Sequence, residues 1–125
     1  ERMIGEPKML GNVVFATSII PSADPCTPGG EGFLNAVDAF SGASLTSPFF
    51  DANKDGSFNS LDTLTISGTS IAVGSINLGN GLTGDAIAIG NLGITIGTNG
   101  EAKAAKIDTG IRTGRIAWRE IVRQN

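Results

Sequence analysis

The sequence predicts a mainly β chain of short antiparallel strands joined by many turns. Glycine occurs 18 times in 125 residues, while 40% of residues are hydrophobic and 17% charged. That balance is too apolar for a disordered tail and too glycine-rich for a helical bundle. The apolar residues also fall in short runs rich in Val, Ile, Thr and Phe, each ended by Gly, Pro or Asn. Strands bounded by turns have this pattern. The length fits a single β domain over 1–125, or a fragment of a larger one.

The first run, "GNVVFATSII" at 11–20, is dense in β-branched residues and stops at Pro21, so it reads as a buried strand. "PSADPCTPGGEG" at 21–32 holds three prolines and three glycines and reads as a surface loop. "FLNAVDAFSG" resumes with Phe33, Ala36 or Val37, and Phe40 as core candidates of a short strand closed by a Ser41-Gly42 turn, with a helix as the weaker alternative. Gly68 and Gly74 divide 63–79 into two or three short strands, and period-two spacing of Ile87, Ile89, Ile94 and Ile96 around Asn91 and Gly93 predicts a hairpin. In "GRIAWREIVRQN", alternation sets Ile116, Trp118, Glu120 and Val122 on one face and an arginine row on the other. This predicts a terminal strand that covers the core with Trp118 and presents Arg115, Arg119 and Arg123 to solvent.

Between the strands lies "DANKDGSFNSLD", residues 51–62. Counted from Asp51, the residues Asn53, Asp55, Ser57, Asn59 and Asp62 take positions 3, 5, 7, 9 and 12, with Gly56 at position 6. This is the ligand spacing of an EF-hand-type loop for Ca2+, a hard ion that takes six to eight oxygens at about 2.3–2.6 Å. Asp51, Asn53 and Asp55 are expected to supply side-chain oxygens, Ser57 a backbone carbonyl, and Asn59 a direct or water-mediated contact. Asp62 closes the shell in this reading. A metal-free Asx turn explains the residue types but not their placement, and three clustered carboxylates repel one another without a cation. Pro48 before the loop and β-branched residues after it disfavour flanking helices, so the loop is expected to join strands and to hold a fixed ion rather than to open like a helical sensor.

Other chemistry is sparse. A net charge of −3 gives no electrostatic reason to bind nucleic acid or an anionic membrane. No stretch approaches the roughly 18–20 apolar residues of a membrane span. The chain has no histidine and one cysteine, Cys26, which reads as a free thiol in a turn. With no histidine beside any serine and no phosphate-cradling motif, a non-enzymatic role is expected. The chain opens on Glu1 without a leader pattern, which suits a mature, processed or excised product.

Two families share the acidic loop. It resembles the calcium loop of dockerin modules, but dockerins carry the loop twice, each followed by a helix. The wider resemblance takes in "GEPKMLGNVVFATSIIPSADPC", "GGEGFLNAVDAFSGASLTSPFFDANKDGSFNSLD" and "GRIAWRE", in that order. Together these look like the C-terminal end of the PilY family of type IV pilus biogenesis and tip-associated adhesins. The resemblance implies a partial β-propeller, of about two to three blades at roughly 40–45 residues each, with one calcium loop between strands. It also implies an extracellular, pilus-associated location and a role in pilus extension and retraction, twitching motility and surface attachment. The implied partners are other parts of a larger pilus protein, or pilin subunits. In such pilus proteins the ninth loop position is often acidic; here it is Asn59, so either Asn59 or Asp62 completes the shell. An alternative is a self-assembling structural subunit, joined to copies of itself by strand complementation and stiffened by calcium.

Overall fold

The computed structural model of the chain describes residues 1–3, 5–24 and 29–110. The expected C-terminal strand with Trp118, and Cys26, lie outside these residues. Among the described residues there are ten strands and no α-helix: β1 (Arg2–Met3), β2 (Lys8–Leu10), β3 (Val13–Pro21), β4 (Gly30–Asp38), β5 (Thr63–Ile66), β6 (Thr69–Ala72), β7 (Ser75–Asn80), β8 (Ile87–Ile89), β9 (Leu92–Ile96) and β10 (Ala102–Lys106). All pairings between them are antiparallel. They form a five-stranded sheet in the order β1-β3-β4-β7 with β2 also on β3, a three-stranded sheet β10-β9-β8, and the hairpin β5-β6. The mainly β, partial propeller-like class expected from the sequence is the one found, with no closed barrel. No helix among the described residues is long and apolar enough to cross a membrane.

The β-branched run at 13–20 makes β3 the centre of the large sheet. It pairs with β4 over nine residues, from Val13 opposite Asp38 to Pro21 opposite Gly30. Alternation sends Phe15 and Ile19 inward beside Ala36 and Leu34, all of them buried. The expected loop at 21–32 is thus shorter, and the strand expected at 33–40 begins at Gly30 and ends at Asp38. Its inward residues are Leu34 and Ala36. Val37 points outward and Phe40 is 84% exposed, because Asp38 ends the strand by accepting the amides of Phe40 and Ser41 and the Ser41 hydroxyl. The expected turn follows, with Gly42 at φ 68°.

Glycine begins β4 because another chain segment lies against it. A Cβ on Gly32 would stand 2.2 Å from Thr83 Cγ2, and Thr83 is itself buried and stiffly β-branched. Gly32→Ala is therefore expected to cost about 1–3 kcal/mol as an overpacked substitution. Urea unfolding checks this, and an unchanged midpoint would show that the Thr83 segment yields freely.

The three-stranded sheet packs on the large one. β8 and β9 form the expected hairpin, turning at Gly90-Asn91 between Ile89 and Leu92. Its isoleucines, however, do not face the core: Ile87, Ile89 and Ile96 are exposed, while Gly93 and Thr95 are buried. The gap between the sheets explains this, since a Cβ on Gly93 would already stand 3.0 Å from Leu34 Cδ2. Thr17 of β3 and Thr95 of β9 donate to one carbonyl, that of Gly84, at 2.8 and 2.9 Å. This shared acceptor ties the two sheets.

Leu45, Phe49 and Phe50 complete the core from the segment after β4, together with Ala105 and Ile107. Phe49 meets Phe50 edge-on at 5.0 Å and Phe15 at 6.3 Å. Phe50 is fully buried and bridges Ile107. The acidic loop starts at the next residue.

Candidate metal centre

Both ends of the 51–62 loop are fastened to the core. At the start, the Asp51 amide donates to the Lys106 carbonyl at 3.2 Å, directly after the buried Phe50. At the end, Ser60–Asp62 form one 3₁₀ turn, and the Asp62 carbonyl accepts from Val73 at 3.1 Å, below the β5-β6 hairpin. The loop joins strand-rich segments and no helix flanks it, as its neighbours in the sequence predict. Between the anchors the chain winds tightly. Lys54 and Gly56 take φ of 61° and 90°, a region where glycine at position 6 avoids the cost a side chain carries.

The candidate ligands fall into three groups. Asn53, Asp55 and Asn59 converge: both amide groups donate to Asp55 Oδ2, at 2.8 and 3.4 Å, while the amide of Ser57 reaches Asp55 Oδ1 at 2.7 Å. Asp55 is held below the usual carboxylate range, first by the Asn53 amide and then by the Ser57 N–H, with the charge of Lys106 adding to the effect. It stays an anion.

Asp51 faces the loop from the other side. Its Oδ2 accepts from the Gly56 amide at 2.9 Å, which directs the carboxylate across the loop to position 6. Its Oδ1 is buried and has no partner, in a residue only 6% exposed. A buried carboxylate oxygen without a donor costs more than a neutral acceptor would. Bound Ca2+ would supply the missing positive partner, so the residues present fit the ion at this oxygen. Asp51 and Asp55 also line a cavity of about 720 Å³ that gives access from solvent.

Asp62 is placed differently from the other candidates. It is fully buried, with Oδ1 accepting from the amides of Ala52 and Asn53 at 2.7 and 3.3 Å and Oδ2 from that of Asn59 at 3.0 Å. Asn59 Oδ1 in turn accepts from Leu61 at 2.8 Å, so residues 59–62 cap one another reciprocally. Among the described residues, no three His, Cys, Asp or Glu side chains gather into a metal-sized cluster. The three loop aspartates each face amide donors instead.

Sequence reasoning did not single out Lys106. Its ammonium donates to the Gly56 carbonyl and lies 5.8 Å from the centre of the Phe58 ring. The "AKAAK" stretch that carries it has neither β-branched residues nor aromatics, so nothing in the local pattern marks it as the strand beside the loop.

No family model and no curated protein sequence matches the chain. Among solved structures it is similar to the crystal structure of the Pseudomonas aeruginosa PilY1 C-terminal domain, with a TM-score of 0.58 and 16% identity over 87% of this chain. The match spans 20% of that chain. At this identity the likeness establishes a shared fold, over about one fifth of the length of the solved domain.

Proposed function

We propose that this chain is a calcium-binding, non-enzymatic part of a type IV pilus biogenesis or adhesin protein, acting outside the cell, where calcium fixes a loop on a β scaffold and thereby influences pilus extension, retraction and attachment. The observation that carries the calcium reading is the unpartnered, buried Oδ1 of Asp51 in a loop with oxygens at alternate positions. Asp51, Asn53 and Asp55 would hold the ion through side chains, Ser57 through its carbonyl, and Asn59 directly or through water. The ion supplies two positive charges to an anionic loop. Asn53 must turn its oxygen toward the ion, because its Nδ2 now faces Asp55. Asp62 keeps the loop closed through the three amides it already holds.

The pilus association rests on the shared fold with the PilY1 C-terminal domain and on the order of sequence segments described above. Partners are other parts of a longer pilus protein, or pilin subunits. Outward apolar residues favour such packing: Met9, Val14 and Val37 lie in line across three strands of the large sheet, and Ile87, Ile89, Leu92 and Ile96 share one face of the small one. Two exposed apolar sheet faces suit a piece that sits between neighbouring layers.

Calorimetric titration of calcium into the parent and into Asp55→Ala tests the reading. Asp55 is the best position to change because its side chain is exposed, and its loss leaves the buried loop ends, Phe50 and Asp62, in place. The parent is expected to bind with a dissociation constant on the order of 10⁻⁶–10⁻⁴ M, and the variant at least about tenfold more weakly, the loss of one charged ligand. Equal heats in both would remove the assignment.

A further inference from the structure

We propose that Lys106 is the built-in counter-charge of the loop: its ammonium partly occupies the electrostatic role of the ion and so sets calcium affinity lower than the ligands alone would give. The inference rests on the calcium reading of residues 51–62.

Lys106 holds the first half of the loop at two points. Its carbonyl accepts the amide of Asp51, position 1, and its ammonium donates to the carbonyl of Gly56, position 6. The ammonium also lies over the Phe58 ring, 5.8 Å from its centre, so the charge is held at two points rather than free. A Cβ on Gly56 would stand 3.3 Å from Nζ, which shows how closely the charge approaches the backbone at the tightest point of the loop.

Two consequences follow, and they act in the same direction. Without the ion, Lys106 sets a positive charge on the anionic loop at Gly56, next to Asp55; with the ion, that charge repels a second cation. The bond to the Gly56 carbonyl is made from outside the candidate ligand set, so it can persist in both states and largely cancels in the binding equilibrium. The charge does not cancel. Removing it while keeping the stem should therefore tighten calcium binding, although a hydrogen bond is lost.

The test is calcium titration of the full chain and of Lys106→Met, Lys106→Gln and Lys106→Arg at low and at high sodium chloride, with circular dichroism confirming that each is folded. Lys106→Met and Lys106→Gln are expected to bind calcium about fivefold more tightly than the parent at low salt, a gain that shrinks as added salt shortens the screening length below about 10 Å. Lys106→Arg keeps the charge and should stay within about twofold. Two neutral variants of different polarity are included so that a folding defect in one leaves the other to decide the sign. Neutral variants that bind equally or more weakly, or an arginine variant that shifts as they do, would overturn the role of Lys106. A parent chain that takes up no calcium would instead overturn the calcium reading itself.

Discussion

Calcium at about 100 times its dissociation constant is expected to stabilise the chain by ~2.7 kcal/mol if it binds only the folded form. That is a large share of the roughly 5–15 kcal/mol that holds a small domain together, and it corresponds to a rise in melting temperature of about 10 °C. The effect should be local in origin. Phe50 and Asp62 are fully buried at the two ends of the loop, so the anchors persist without the ion, and the segment left to be ordered is mainly 53–59. Hydrogen exchange read segment by segment should show calcium slowing 47–65 most, while β3 and β4 change little. Magnesium should protect poorly, since it requires near-ideal octahedral geometry and gives up water reluctantly. Identical exchange of 47–65 in calcium, magnesium and chelator would show that the ion is no clamp, and the proposed link from calcium to pilus behaviour would lose its physical basis here.

Strands were readable where β-branched residues and turn residues agree. Val13–Pro21, the pair 63–72 and the hairpin over 87–96 all follow such punctuation. Which face is buried was less readable, because that depends on distance to the opposing sheet. Ile87, Ile89 and Ile96 have the strongest apolar pattern in the hairpin and point away from the core, since the opposite face of β9 lies so close to the large sheet that a Cβ on Gly93 would stand 3.0 Å from Leu34 Cδ2. β10 went unseen because Ala and Lys have little strand preference and owe their conformation to pairing with β9. Phe49 and Phe50 sit in a segment without regular structure, where no periodicity marks a residue as core. The loop was the clearest element of the site, since its oxygen-bearing residues all fall within twelve consecutive positions. Its charge partner, Lys106, is 50 residues from Gly56, and only the fold brings them together.

Asp62→Ala should be the most destabilising change in the loop, and it should be so without calcium. The side chain is fully buried and accepts the amides of Ala52, Asn53 and Asn59. Truncation leaves three donors without their acceptor, each worth about 1–3 kcal/mol if it stays dry. Ala52 and Asn53 are exposed, so water can reach part of the space. A loss of about 3 kcal/mol is the expected result. Asp62→Asn separates charge from shape: one oxygen remains to serve Ala52 and Asn53, while an NH₂ group faces the Asn59 N–H, and the loss should be about half as large. Urea unfolding of the three chains in chelator and in saturating calcium decides what Asp62 does. A structural clamp gives nearly the same loss in both conditions. A residue that serves only as an ion ligand gives little loss in chelator and its full loss in calcium, and a cost below about 1 kcal/mol in chelator would sink the account of Asp62 as the closure of the loop. If instead the loss is large in chelator and grows further with calcium, Asp62 does both: it folds the loop through one set of lone pairs and completes the shell of the ion with the rest.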